Sequence, residues 1–259
     1  MSQIVNEMGP LPAAKLRAAM EADIAAGRVA SGGRLPSERS LSDQHGMHRI
    51  TVQKALGQLE AEGMIYRQDR SGWYVSPPRF LYDPAADVSF TENAVRQGRT
   101  PGSVLLLAEE TVAGDATAAA LDVPHGAPVT RLRRVRTLED RPAFVEESHV
   151  SSACCPGLAE HAATVVSLAA LYRDRFGITL RRRWVRMHLA ALRREEASHL
   201  RSAPGAPGLL LTRLSCDAHD RPVSYDREYW RHDALELVVQ VAAGGPATAQ
   251  RHQVVTRLD

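Results

Sequence analysis

Arg134 and Arg136 stand two residues apart in a run typical of a β-strand. Because successive side chains of a strand point to opposite faces, both guanidinium groups are expected on the same face. Two such like charges repel each other unless an anion or a carboxylate lies between them, and paired guanidinium groups bind phosphates and carboxylates. The spacing predicts either an anion-binding site or an internal ion pair. Glu146 on the next strand would be the counter-ion, or would bind a ligand hydroxyl or amine.

A serine at the start of a predicted helix offers a second anion-binding group. Ser167 precedes a helical pattern that runs to Phe176. As the N-cap residue it would present its hydroxyl group and the positive end of the helix dipole to an anion. An ordinary helix cap, beside a lattice of surface ion pairs around Arg134 and Arg136, is the alternative.

A predicted helix from His48 to Glu62 begins with polar side chains and has an apolar stripe on its other face. Arginine can bind guanine through two hydrogen bonds, and glutamine can bind adenine in the same way. A helix that enters the major groove by its N-terminus needs such side chains in its first turns. An exposed helix face without a ligand is the alternative. The candidate DNA-binding residues are Arg39, His48, Arg49, Thr51, Gln53, Arg67, Arg70 and Ser71.

The elements around these residues follow the order of a winged helix-turn-helix. Two helices, a turn at Gly46, a third helix and a short hairpin are predicted. In this fold the hairpin, called the wing, commonly contacts a phosphate or the minor groove, which is why Arg67 and Arg70 are included. The predicted elements are the helices Ala13–Ala26, Glu38–His45 and His48–Glu62 and the strands Met64–Arg67 and Trp73–Val75.

After the prolines at positions 77, 78 and 84, the pattern changes to strands that alternate with a few helices. Two strand pairs are joined by short turns, Glu139–Pro142 and Ala218–Pro222, which makes the neighbouring strands antiparallel. Both turns contain Asp-Arg-Pro, which suggests an internal duplication. The fold class is therefore α+β, with an N-terminal winged helix-turn-helix and a C-terminal antiparallel-sheet domain. The predicted boundaries are 1–76 for the winged helix-turn-helix, 77–88 for a linker, 89–245 for the α+β domain and 246–259 for a tail.

Composition and motifs exclude several classes of protein. The chain has 32 Lys+Arg and 30 Asp+Glu, so that any basic surface must be local. No apolar run is long enough to span a membrane, and we expect a cytoplasmic protein without membrane contact. The three cysteines lack metal-ligand spacing, no lysine follows Lys54, and the nucleophile-elbow, zinc-protease and phosphate-loop motifs are absent. We expect no metal, no cofactor and no enzymatic activity.

The segment Arg34–Val75 resembles the GntR family of winged-helix regulators. The resemblance implies that Arg39 and Arg49 contact operator DNA. The wing departs from the family pattern, because Arg70 and Ser71 stand where a glycine and an arginine are usual. The matching motifs are Leu35-Pro36-Ser37-Glu38-Arg39, Arg49-Ile50-Thr51-Val52 with Ala55-Leu56, and Leu59-Glu60-Ala61-Glu62-Gly63-Met64-Ile65.

The segment Ser89–Val241 resembles the UTRA domain of the HutC branch of that family, which has a chorismate-lyase-like α+β fold. Matching motifs include Gly98-Arg99-Thr100-Pro101-Gly102-Ser103 and the closing Tyr229-Trp230-Arg231-His232-Asp233. The resemblance implies a pocket for a small effector. Sensors of amino-sugar phosphates in this branch carry a glutamate where this chain has Ser224. The implied effector-binding residues are Ser89, Phe90, Thr91, Arg134, Arg136, Glu146, Ser167, Ser224 and Trp230.

Together these resemblances imply a transcription regulator, with repression as the expectation from the family. A homodimer formed through the second domains would bind double-stranded, palindromic operator DNA, and a phosphate- or carboxylate-bearing effector would release it. Two other classes are compared with this one. An enzyme is considered because the second domain shares its fold with a lyase, and an architectural DNA binder would not need a second folded domain.

Overall fold

The computed structural model describes residues 12–68 and 71–239. Ser37 caps the second helix by accepting a hydrogen bond from the backbone N–H of Ser40 at 3.1 Å. Gly46 ends that helix in the left-handed conformation, at φ 59°. A residue without Cβ adopts this conformation at little cost, so the chain can turn sharply into the third helix. The first three helices are α1 (Pro12–Ala25), α2 (Glu38–His45) and α3 (Arg49–Ala61).

One face of α3 is buried and the other is exposed. The buried face packs against α1 and against Trp73 and Val75. The first turn of α3 lies outside this core. Packing of the apolar stripe therefore determines which side of α3 faces outward. The buried residues of α3 are Val52, Ala55, Leu56 and Leu59, which is the stripe predicted from the sequence.

A short antiparallel hairpin follows α3. β1 (Ile65–Gln68) pairs with β2 (Gly72–Val75), and Ile65 lies opposite Val75. The helices, the turn and the hairpin stand in the predicted order, which confirms the winged helix-turn-helix. Arg70, predicted at the tip of the wing, lies outside the described residues.

The second domain is built on an antiparallel sheet of six strands, in the order β4-β5-β6-β9-β8-β7. β6 and β9 come from different halves of the domain and pair at the centre of the sheet. The α+β class with an antiparallel sheet is thus confirmed. The strands are β4 (Pro101–Val112), β5 (Pro128–Leu138), β6 (Arg141–Ser151), β7 (Arg181–Ala191), β8 (Pro207–Cys216) and β9 (Pro222–Arg231).

Helices cover parts of both faces of this sheet. On one face α4 contributes to a cluster around Phe144 and Trp230, and α6 and α7 pack around Leu132 and Val150. On the other face α5 and α8 pack in two separate clusters. The helices are α4 (Phe90–Arg96), α5 (Asp115–Leu121), α6 (Leu158–Ala162), α7 (Leu168–Phe176) and α8 (Arg194–His199).

The two halves of the domain repeat the same order of elements. The first half runs β4, α5, β5, β6, and the second runs β7, α8, β8, β9. In each half the last two strands are joined by a turn that contains Asp-Arg-Pro, where Asp140 and Asp220 adopt positive φ. The topology thus supports the suggested duplication and brings the third strand of each half to the centre.

The segment predicted as a linker contains a strand. β3 (Phe80–Tyr82) pairs in parallel with β10 (Leu235–Leu237), and Phe80 and Tyr82 are buried in the second domain. A strand of three residues is too short for its alternation to be distinguished among prolines. β10 ends at Leu237, and residues from 240 onward lie outside the described range.

Candidate ligand pocket and nucleic-acid interface

A polar floor lies at the centre of the six-stranded sheet. Arg134 of β5, Glu146 of β6 and Glu228 of β9 stand opposite one another in register. In the adjacent row Ser148 lies opposite Asp226, whose other neighbour is Arg213 of β8. Because side chains in one cross-strand row share a face, these groups converge on one side of the sheet.

Segments packed on this face of the sheet close a cavity of about 110 Å³ over the floor. The start of α4, the start of α7 and the start of β7 form its walls. This volume is below the range of about 300–1,000 Å³ of sites for drug-sized ligands, so the cavity would hold only a small ligand or one group of a larger one. The lining residues are Asp87, Val88, Ser89, Phe90, Thr91, Arg134, Arg136, Glu146, Ser148, Ser167, Leu168, Ala169, Tyr172, Leu180, Arg181, Arg182, Arg213, Ser215, Ser224, Asp226 and Glu228.

Glu146 is the counter-ion of the two arginines, as the sequence suggested. It forms a hydrogen-bonded ion pair with Arg134, and Arg136 Nη1 lies 3.8 Å from its Oε2. Burial alone would raise the pKa of Glu146, but the charges of Arg134, Arg136 and Arg213 outweigh burial and lower it. The carboxylate is therefore ionised. The two arginines thus form, in part, the internal ion pair that was the alternative to an anion-binding site.

Arg134 keeps donors for a further acceptor. Arg134 is 2% exposed, and its Nε and Nη1 atoms are buried without a hydrogen-bond partner in the described chain. The hydroxyl group of Tyr172 is likewise buried without a partner there, and burial raises its pKa far above the ordinary value. Buried donors without acceptors are costly, so a ligand with acceptor oxygens would stabilise this arrangement.

Arg136 is oriented by the start of α4. Its Nη2 donates to Thr91 Oγ1 at 2.9 Å, and its guanidinium carbon lies 4.7 Å from the ring centroid of Phe90. Burial lowers the pKa of Arg136 to about 10, which leaves it charged at neutral pH. Ser89 caps α4 by accepting from the N–H of Glu92, so its hydroxyl also fixes this wall.

The other predicted pocket residues divide into those that line the cavity and one that does not. Ser167 caps α7 through the N–H of Ala170, and Ser224 donates to Asp226 at 2.7 Å. Both line the cavity. Trp230 does not: it is buried in the aromatic cluster behind the wall, and its Nε1 donates to Glu228 at 2.8 Å. Its effect on the pocket is therefore through Glu228.

In the second half of the pocket, sequence reasoning selected Ser224 but missed Arg182, Arg213, Asp226 and Glu228. Arg213 donates to Asp226 through Nε and Nη2, and its Nη1 lies 3.0 Å from Glu228. Arg182 donates to two backbone carbonyls at the wall. A signal existed, because Ser224, Asp226 and Glu228 alternate on one strand as Arg134 and Arg136 do.

The start of α3 forms the candidate nucleic-acid interface. Arg49 is exposed, and its Nε donates to Glu38 at 3.1 Å, while Gln53 donates to the same carboxylate at 2.8 Å. Trp73 Nε1 is 3.3 Å from the other oxygen of Glu38. The hydrogen bond from Gln53, with those from Arg49 and Trp73, lowers the pKa of Glu38. One carboxylate therefore holds both predicted base-reading side chains in place.

The remaining predicted DNA-binding residues lie around this point. Arg39, His48 and Arg67 are exposed, and Thr51 is half-buried. Ser71 lies in the hairpin, where its hydroxyl is 2.5 Å from Tyr74 Oη. Ile50 was not selected from the sequence, yet 79% of it is exposed in the first turn of α3. An exposed apolar residue there can contact a thymine methyl group.

The two domains meet at a docking patch formed by Tyr66, Arg141, Arg231, His232 and Asp233. The guanidinium carbon of Arg141 lies 3.9 Å from the ring centroid of Tyr66, and its Nη2 donates to Asp233 at 2.5 Å. Arg231 binds the same carboxylate with two donors, at 3.0 and 2.7 Å. The docking patch thus includes the first residue of β6, Arg141, and the last residue of β9, Arg231.

Backbone contacts complete the docking patch. His232 Nε2 lies 3.1 Å from the carbonyl oxygen of Glu60, and Arg79 donates to the carbonyl of Glu62 at 2.9 Å. A Cβ on Gly63 would lie 2.9 Å from the Cβ of Asp233. A cleft of about 660 Å³ beside these contacts is lined by both domains. The contact is therefore local, and relative motion of the domains is the default expectation.

Within the described ranges 12–68 and 71–239, no group of three or more His, Cys, Asp or Glu residues is arranged to hold a metal ion. Cys154, Cys155 and Cys216 are free thiols. None of the helices in this part of the chain is long and apolar enough to cross a membrane.

Comparison with known families and proteins agrees with this architecture. Residues 12–75 match the bacterial regulatory proteins of the gntR family, and residues 96–236 match the UTRA domain. The HTH-type transcriptional regulator YihL of Escherichia coli (strain K12) is 32% identical over 83% of this chain and 91% of its own length. The HTH-type transcriptional repressor NagR of Bacillus subtilis (strain 168) is 28% identical over 90% of this chain and 96% of its own.

A solved structure is similar to this chain over both domains. The crystal structure of PhnF from Mycobacterium smegmatis covers 88% of this chain and 100% of its own, with 28% identity and a TM-score of 0.61. YihL and NagR are named as transcription regulators, and the first domain matches a family of regulatory proteins, so the lyase alternative falls. The chain belongs to the gntR family of bacterial regulatory proteins, and it is a DNA-binding transcription regulator with a UTRA domain.

Proposed function

We propose that this regulator is a repressor that binds a palindromic operator as a homodimer and is released by a small anionic metabolite. The observation that carries the proposal is the pair of buried donors on Arg134 that no group of the described chain accepts. Relatives named as repressors, NagR and the probable fructoselysine utilization operon repressor, support the direction of regulation. Because a regulator that binds DNA acts where the DNA is, we expect it in the cytoplasm.

The DNA half of the proposal depends on the first turn of α3. Arg49 and Gln53 would exchange their shared acceptor, Glu38, for base edges in the major groove. Ile50 would contact a thymine methyl group beside them. One such helix per subunit reads one half-site, and two-fold symmetry of the dimer makes the operator palindromic. Arg39, Arg67, Arg70 and Ser71 would contribute phosphate or wing contacts.

The effector half depends on the cavity over the sheet. A phosphate or carboxylate group would accept from Arg134, Arg136 and Tyr172, which are buried around one volume. Guanidinium groups bind such anions in a bidentate manner. Arg213, which contacts Glu146, Asp226 and Glu228, favours the alternative of a purely structural lattice. The unpaired atoms of Arg134 and Tyr172 favour the ligand.

The route from pocket to DNA follows the two central strands. β6 carries Glu146 in the pocket and Arg141 in the docking patch. In the same way, β9 carries Glu228 in the pocket and Arg231 in the docking patch. An anion that draws Arg134 away from Glu146 changes the charge at the middle of both strands. Release follows if the effector binds better to a domain arrangement with the wrong spacing of the recognition helices.

The experiment has two parts. An operator is selected from a random duplex library with the full-length protein, and affinity is measured by fluorescence anisotropy. Arg49→Ala should weaken specific binding by about 1–3 kcal/mol per half-site, whereas Arg28→Ala, an exposed control on the same domain, should not. Sedimentation equilibrium measures the dimer. A monomer, or an Arg49→Ala variant with unchanged affinity, would contradict this half.

The second part screens phosphorylated and carboxylated metabolites by thermal shift and then by release of the selected operator. Tyr172→Phe removes one unpaired hydroxyl and should weaken binding of the active compound without unfolding the protein. A compound that releases DNA equally well from wild type and Tyr172→Phe, and from Arg136→Gln, would show that the effector binds elsewhere.

A further inference from the structure

Two buried carboxylates face each other in the floor of the pocket. Glu146 and Glu228 are cross-strand partners of β6 and β9, with 6% and 2% of their surfaces exposed. Like charges directly opposite each other in a sheet repel. Arg213 lies between them, with Nη1 at 3.0 Å from Glu228 and Nη2 at 3.8 Å from Glu146, and it also binds Asp226. One guanidinium group therefore serves three carboxylates.

The charges that line the cavity leave little room for an added anion. Five arginines and four carboxylates line it, which gives an excess of one positive charge. A dianion turns this into a deficit of one. The charged lining residues are Arg134, Arg136, Arg181, Arg182, Arg213, Asp87, Glu146, Asp226 and Glu228.

The ligand would also draw away Arg134, the positive charge nearest to Glu146. Arg134 has a side-chain partner in Glu146, so an anion that accepts from the free atoms of Arg134 competes for the same guanidinium group. Glu146 then depends more on Arg213, which it shares with Glu228. The repulsion between the two carboxylates rises when the ligand binds, because less positive charge lies between them.

We propose that binding of a dianionic ligand in this cavity takes up one proton from solvent, and that the carboxylate of Glu228 accepts it. The inference rests on the proposed anion-binding function of the pocket. The balance is simple: Glu228 in its ionised form and one proton give the neutral acid, no other bond changes, and the deficit of one charge is removed. The protonated Glu228 no longer repels the carboxylate of Glu146, and its O–H group can act as a hydrogen-bond donor to it.

The surroundings of Glu228 explain why it, rather than Glu146, is the acceptor. Burial raises the pKa of Glu228 above its ordinary value, and Glu146 and Asp226 add to this effect, while Arg213 and the Trp230 hydrogen bond oppose it. Glu146, in contrast, has its pKa lowered by three arginines. The other charged or titratable groups that face Glu228 are Tyr82 of β3, Arg136 of β5 and Arg182 of β7.

The sign of the pH dependence follows. A dianion raises the pKa of Glu228 further, so that the liganded protein holds a proton that the free protein lacks. Affinity therefore falls as pH rises, by up to about tenfold per pH unit while Glu228 is ionised in the free protein and protonated in the complex. At pH values below the pKa that Glu228 has in the free protein, Glu228 is protonated with and without ligand, and the affinity no longer depends on pH.

Isothermal titration calorimetry of the full-length protein with sulfate tests the proposal, because sulfate stays a dianion throughout the useful pH range. The titration is repeated at about pH 7.5 in PIPES, HEPES and Tris. The slope of the observed enthalpy against the ionisation enthalpy of the buffer counts the protons. We expect about one proton taken up by the wild type, none by Glu228→Gln, and about one by Glu109→Gln, a control on the opposite face of the sheet.

The outcomes are distinct. Sulfate binding without proton uptake by the wild type overturns the inference and leaves the anion site intact. Uptake that persists in a folded Glu228→Gln variant overturns the assignment to Glu228. If sulfate does not bind, even at the highest sulfate concentration at which the protein stays soluble, the anion site itself is overturned, and with it the proposed effector class. The wild-type measurement decides the first and third outcomes even if the variant does not fold.

Discussion

Removal of the Arg134 charge should destabilise the second domain, because it leaves Glu146 buried. Methionine is a suitable replacement, since it fills similar space without charge. In Arg134→Met, Glu146 keeps Arg136 and Arg213, but each lies 3.8 Å away, beyond hydrogen-bond distance. Breaking a buried pair costs about 3–5 kcal/mol. The residual arginines favour the lower end, about 3 kcal/mol, which corresponds to a fall of roughly 6–12 °C in the unfolding temperature.

Removal of both charges should restore most of this loss. In Arg134→Met/Glu146→Leu no buried charge of the pair remains, and replacement of a whole buried pair by apolar residues is often neutral or stabilising by about 1–4 kcal/mol. Arg213 keeps Asp226 and Glu228 as partners. The double variant should therefore be more stable than either single variant, which is a large interaction energy in a double-mutant cycle.

Urea unfolding followed by circular dichroism and tryptophan fluorescence measures these differences. The matched control is Arg96→Met, which breaks the exposed pair of Arg96 with Glu92, and an exposed pair of this kind contributes at most about 1 kcal/mol. The reasoning is refuted if Arg134→Met lies within about 1 kcal/mol of wild type, or if the double variant is no more stable than the single ones. Either result would mean that water reaches Glu146 and that the pocket floor is not a low-dielectric site.

Three further predictions concern other parts of the chain. Glu38→Gln should release Arg49 toward the phosphates, so that non-specific DNA affinity rises and the salt dependence of log K steepens by about 0.9; an unchanged slope in anisotropy titrations would contradict this. Gly63→Ala should separate the domains and increase the radius of gyration in small-angle scattering, because its Cβ meets Asp233, whereas Gly27→Ala, with a similar positive φ and no atom near its Cβ, should not. Cys155 should resist alkylation at about pH 8 in the folded protein, because burial raises the pKa of its thiol to about 12; rapid modification seen by mass spectrometry would refute the assignment.

Local patterns predicted the fold of the first domain and half of the pocket. The stripe of α3 and the Gly46 turn depend on neighbours in sequence, and the alternation of Arg134 and Arg136 depends on one strand. These features follow from helix and strand periodicity alone.

The second half of the pocket depends on register between distant strands. Nothing in the sequence near Glu146 indicates that Glu228 is its cross-strand partner, because β6 and β9 pair only after two further strands and three helices have been placed. Trp230, another predicted pocket residue, lies outside the lining of the cavity. Its strand position puts it on the correct face, but stacking on Phe144 turns it into the core.

The duplicated halves of the sheet have a consequence for how a ligand is oriented. Arg134 stands opposite Glu146 in the first half as Arg213 stands opposite Asp226 in the second, so an approximate two-fold axis passes between β6 and β9. A perfectly symmetric floor would accept an asymmetric molecule equally well in two opposite directions. Glu228 and its counterpart Ser148 break this equivalence, since one half offers a carboxylate where the other offers a hydroxyl. Arg136 adds to the difference, because its counterpart in the second half is Ser215. The two halves therefore give a bound molecule one preferred direction, and exchange of the residues at 148 and 228 should weaken that preference rather than abolish binding.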